Sequence, residues 1–87
     1  MRVWMRDKCY WLRFVRVPAR GCDGIVKYWK REIRIGRGLR GKKRLELLIH
    51  EPIHACLPDL NEEAVDHTAR AISDLLYALG YRAKSAR

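Results

Sequence analysis

The stretch from Lys30 to Cys56, KREIRIGRGLRGKKRLELLIHEPIHAC, changes its hydrophobic period partway along, and that change sets the fold class. Up to Ile35 it alternates, with Lys30, Glu32 and Arg34 on one side and Arg31, Ile33 and Ile35 on the other, the two-residue repeat of a strand. Gly36, Gly38 and Gly41 end that portion. From about Lys42 the repeat becomes helical. Leu45, Leu48, Ile49, Pro52, Ala55 and Cys56 fall on one side of a helical wheel and predict a first helix.

Upstream, Tyr10 to Val17 reads YWLRFVRV, a strand with Tyr10, Leu12 and Phe14 on one face and Trp11, Arg13 and Val15 on the other. Turn formers fill Pro18 to Gly24, so this strand is expected to pair as an antiparallel hairpin with the run Ile25 to Ile35, with Val3 to Met5 as an extra strand. Downstream, CLPDLN breaks the first helix and Asn61 is a good N-cap for a second, running to about Leu79. Glu62 and Glu63 occupy its first turn, and Val65, Ala69, Ile72, Leu76 and Leu79 form its apolar stripe. Gly80 sits where a C-cap glycine belongs. The expectation is one α+β domain over residues 1–87, a short antiparallel sheet followed by two helices. A basic β portion covers 1–41, a helical portion 42–80 and a basic tail 81–87.

Eighty-seven residues, 48% hydrophobic and 33% charged, suffice for one modest core but not two domains. So small a core leaves a thin stability margin, which a bound metal would widen. No apolar run approaches the roughly 20 residues that span a bilayer, and charges interrupt the N-terminal stretch, so a cytoplasmic protein with no membrane contact is expected. Cys9, Cys22 and Cys56 lack CxxC spacing and read as small buried hydrophobes in a reducing compartment. Residues 1–44 carry 15 Lys/Arg against three acids, a net +12, whereas residues 45–87 carry a net −3. That asymmetry draws polyanions to the N-terminal half.

The chemistry concentrates in His50, Glu51 and His54, which spell HEPIH, an HExxH pattern inside the first helix. Histidines four residues apart stack their imidazoles on one face, where both can hold one tetrahedral Zn²⁺, and Glu51 sits within reach of water on that metal. A third ligand is expected from the second helix. The helical wheel puts Glu62 and Asp66 on the flank facing the first helix and turns Glu63 to solvent, so Glu62 is assigned as ligand and Asp66 as the acceptor orienting a ligand histidine. Pro52 inside the motif removes a backbone donor and predicts a kink, costing about 3 kcal/mol in an ordinary helix interior.

HEPIH followed by Glu62-Glu63-Ala64-Val65-Asp66 resembles the zincin metallopeptidases of the glutamate-ligand type, whose pattern is HExxH followed on another helix by ExxxD. Over residues 30–82 the chain looks like the small zincin-like proteins carried by bacteriophages and prophages. The resemblance implies a minimal zincin core, zinc as cofactor, and hydrolysis of a peptide or protein substrate. It implies His50, His54 and Glu62 as metal ligands and Glu51 as the catalytic base. The sequence identifies no oxyanion donor: Tyr77, Tyr81 and nearby arginines are available, and each reads first as structural. The alternative is a non-catalytic basic module that keeps zinc for structure and binds nucleic acid or a host protein through its N-terminal half. Any such nucleic-acid binding is expected to be weak, with Trp4, Trp11 and Trp29 as the available stacking groups. The glycines of Gly36-Arg37-Gly38-Leu39-Arg40-Gly41 match a dinucleotide-binding spacing, but no second parallel strand follows the helix and no ribose-binding acid ends one, so that reading fails.

Overall fold

The computed structural model describes residues 1–82. Four strands, β1 (Arg2–Met5), β2 (Lys8–Val15), β3 (Gly24–Lys27) and β4 (Glu32–Gly36), form one sheet in the order β1-β2-β4-β3. Two helices follow, α1 (Gly41–Cys56) and α2 (Glu62–Ala78). The α+β order of a short sheet and then two helices is the one expected. The sheet, however, is mixed.

β1 and β2 form a hairpin through Arg6 and Asp7, both at positive φ (49° and 69°), the backbone of a type I′ turn. The expected antiparallel hairpin between Tyr10–Val17 and Ile25–Ile35 does not form. Instead the second run breaks at a short 3₁₀ turn, Tyr28–Lys30, and reverses at Arg31, which takes a left-handed conformation at φ 49°. β3 therefore pairs antiparallel with β4, and β4 inserts parallel to β2, with Leu12 opposite Ile33 and Phe14 opposite Ile35. Alternation had given the faces of these strands but not their partners.

The inner sheet face carries Tyr10, Val26, Ile33 and Ile35, with Ile33 and Ile35 fully buried, and Leu47 of α1 closes the cluster. α1 lies on this face and α2 packs on α1. The buried line of α1 is Arg44, Leu47 and Glu51, one residue out of phase with the predicted stripe; of that stripe only Leu48 and Ala55 join the sheet core. The helix runs unbroken through Pro52. Along α2 the buried line is Val65, Ala69 and Ser73, whereas Ile72 and Leu79 of the predicted stripe are exposed. Small side chains at Ala69 and Ser73 let the two helices approach closely.

Both caps of α2 match the sequence reading. Asn61 accepts a hydrogen bond from the Ala64 N–H at 2.7 Å. At the other end Gly80 takes φ 94°, its N–H donates to Tyr77 O and the Tyr81 N–H to Leu76 O, completing a Schellman motif. Of the basic tail, Tyr81 and Arg82 are exposed and residues 83–87 lie outside the described residues. Cys22 is exposed and Cys9 and Cys56 are half-buried, so the cysteines are less enclosed than expected. No helix among the described residues is long and apolar enough to cross a membrane.

Candidate metal centre

The site depends on the antiparallel register of α1 and α2. Charge pairs tie the start of α1 to the later turns of α2, Lys42 with Asp74 and Glu46 with Arg70. One and two turns further along, the same register brings the first residue of α2, Glu62, opposite His50 and His54. The N-cap at Asn61 fixes where α2 begins and so holds Glu62 at this level.

Glu62 bridges both imidazoles, with Oε1 3.0 Å from His50 Nε2 and Oε2 2.9 Å from His54 Nε2. The two Nε2 atoms are 3.2 Å apart, and the rings meet edge to face with centroids 4.9 Å apart. These three residues form the one group of His, Cys, Asp or Glu donors among the described residues that could hold a metal ion. Ligands about 2.0–2.1 Å from a tetrahedral Zn²⁺ stand about 3.3–3.4 Å from one another; the two imidazole nitrogens are 3.2 Å apart, and one donor atom from each of the three residues lies within 4.8 Å of the others. Two imidazoles and a carboxylate are also donor types that zinc takes. Donor set and spacing therefore fit a metal ion.

Glu51 lines the same cleft as His50, His54 and Glu62 but is itself 5% exposed. Burial pushes its carboxyl up to about 7; His50 opposes that rise and the Glu62 charge adds to it. Gly24, at the start of β3, stands directly against it. A Cβ at that position would lie 3.0 Å from Glu51 Cγ and Oε2 and 2.9 Å from Leu47 Cδ1, so the edge strand approaches α1 closely here because this residue has no side chain.

Tyr28 completes the cleft from the turn after β3, its hydroxyl donating to the His54 carbonyl at 2.9 Å. Burial raises its pKa, as do Tyr10, Glu51 and Glu62. Neither Gly24 nor Tyr28 stood out in the sequence. Gly24 ends the Pro18 to Gly24 run, which signals only a turn, and Tyr28 lies within the Ile25 to Ile35 run, whose composition signals continuous strand.

Asp66 does not take the role assigned to it. Its Oδ2 accepts from Arg70 Nη2 at 2.9 Å and it makes no hydrogen bond to either histidine, because a cation one turn along the same helix is the nearer partner. Glu63 points to solvent as expected. Tyr77 lies about 22 Å along α2 from Glu62 at 1.5 Å per residue, so neither it nor Tyr81 reaches the cleft. Comparison of the chain with protein-family models, curated proteins and solved structures finds no match.

Proposed function

We propose that this protein is a zinc-dependent hydrolase of metallopeptidase type, with His50, His54 and Glu62 as the metal ligands and Glu51 as general base. The observation that supports it best is the convergence of two imidazoles and one carboxylate, with donor atoms within 4.8 Å of one another, beside a buried carboxyl in one cleft. Zinc in such a site supplies Lewis acidity, lowering the pKa of a coordinated water toward about 7 and polarising a carbonyl.

The chain's own residues account for the other parts of the chemistry. In this reading Glu51, adjacent to His50 and pressed against Gly24, accepts a proton from water and returns it to a leaving amine. β3 is the edge strand beside the cleft and contributes Gly24, Ile25 and Val26 to its wall. An extended peptide can add to that edge through backbone hydrogen bonds, which brings a peptide bond alongside the histidines. Tyr28 anchors the far wall to α1 through the His54 carbonyl and presents a hydroxyl near the same space.

The test is Glu51→Gln. The variant should keep zinc and lose hydrolysis of a quenched fluorescent peptide mixture that the parent cleaves. A zinc-loaded parent that cleaves nothing, or a variant that cleaves as the parent does, removes Glu51 from catalysis and leaves a basic binding module with structural zinc.

A further inference from the structure

The outer face of the sheet carries a second feature, independent of the metal centre. α1 packs on the inner face and α2 packs on α1, so no helix among the described residues packs on the outer one. Strand register assigns its side chains. Arg2 stands opposite Trp11 and Trp4 opposite Cys9; Trp11 and Arg13 face Glu32 and Arg34, and Lys27 faces Glu32. Trp4 is 73% exposed and Trp11 43%. They are diagonal neighbours on adjacent strands, about 7–8 Å apart at Cα.

Trp11 is flanked by two guanidinium groups, Arg2 at 5.6 Å and Arg13 at 5.1 Å from the ring centroid. The one acid on the face, Glu32, is consumed by Arg13 at 2.7 Å and Arg34 at 2.6 Å. The surface is therefore flat, aromatic and positive. Past the C-terminal ends of β2 and β4 lies an open depression lined by Arg16, Arg37 and Arg40.

We propose that this face is a binding platform for single-stranded nucleic acid, with Trp4 and Trp11 stacking two bases and the surrounding arginines taking phosphates. Single strands offer what the face can use: exposed π faces and a regular line of negative charge. A second copy of the chain is disfavoured by a net charge of +9. A bilayer is disfavoured because Arg2, Arg13, Arg34 and Lys27 surround the two tryptophans on this face.

The experiment measures fluorescence anisotropy of a labelled deoxythymidine 15-mer against the full chain at about 100–200 mM salt. Trp4→Ala and Trp11→Ala should each weaken binding at least about fivefold. Arg37→Ala should flatten the salt dependence, and Lys43→Ala, on α1 away from the face, should stay within about twofold of the parent. Quenching of intrinsic tryptophan fluorescence by the oligomer, diminished in Trp4→Ala, gives a readout that does not require the more enclosed Trp11 to be replaceable. Circular dichroism checks that each variant folds. Parent-like binding by folded Trp4→Ala and Trp11→Ala would overturn the proposal. So would tryptophan-dependent binding seen only with phosphatidylserine vesicles.

Discussion

Replacing Gly24 by alanine tests how tightly the edge strand is pressed against the candidate base. The added methyl would stand 2.9 Å from Leu47 Cδ1 and 3.0 Å from Glu51 Cγ and Oε2, where ordinary contact begins at 3.4 Å. One or both side chains must therefore move by about 0.5 Å. Neither has free space, since Leu47 is 8% exposed and Glu51 5%. Overpacking of this kind costs about 1–3 kcal/mol, while removing a strand glycine returns roughly 0.5–1 kcal/mol through the unfolded chain. The net expectation is a loss of about 1–2 kcal/mol, or roughly 5–15 °C in Tm for a domain of this size.

Gly38 is the matched control, because a Cβ there meets nothing within 4 Å and its φ is not in the left-handed region. Gly38→Ala should be neutral or stabilising by a few tenths of a kcal/mol. Urea unfolding of both variants, followed by far-ultraviolet circular dichroism, decides the matter. If Gly24→Ala unfolds at the same urea concentration as Gly38→Ala, the contact between β3 and Glu51 is not tight, and the description of the cleft wall fails.

Three further outcomes follow from the same geometry. Glu62→Gln should weaken zinc affinity by at least tenfold while Glu63→Gln leaves it unchanged, because only Glu62 reaches the two imidazoles; titration against a competing chelator separates them. Burial alone would raise the Glu32 carboxyl, but its hydrogen bonds to Arg34 and Arg13 outweigh that and hold it below the usual carboxylate range. Its contribution to stability is therefore present above the unfolded value near about 4.3 and lost as pH falls through the folded one, so Tm of the parent should fall more steeply below about pH 4 than that of Glu32→Gln. Arg44 is 3% exposed, with Nε and Nη1 unpartnered and the guanidinium 4.4 Å from the Phe14 ring centroid. Arg44→Met keeps the packing without the buried charge and should raise stability by about 1 kcal/mol in urea unfolding, a result that lower stability would refute.

Local signals in the sequence are legible where one residue determines the local backbone. Asn61 and Gly80 cap α2 as their chemistry requires, and the i,i+4 spacing of His50 and His54 brings their rings together whatever the rest of the chain does. Long-range pairing was not legible. β2 and β4 both alternate cleanly, but nothing in alternation says that the chain first turns out to β3 and then returns parallel, and the left-handed residue that permits it, Arg31, is not a glycine. The phase of α1 departs from its hydropathy pattern for a different reason. Its sheet-facing line includes Arg44 and Glu51, so hydropathy pointed to the neighbouring line, although burial of Glu51 is what sets it apart from an ordinary surface carboxylate. Asp66 shared the favourable flank of α2 with Glu62, but the wheel carried no information about competition from Arg70.

The central claim is that His50, His54 and Glu62 form a metal centre, and elemental analysis of the untagged protein tests it most directly. The account predicts about one zinc per chain, retained through dialysis, lost in His50→Ala and in His54→Ala, with lower thermal stability in both. Parent protein that carries no stoichiometric metal and takes up none on titration would contradict it, as would zinc content unchanged in both histidine variants.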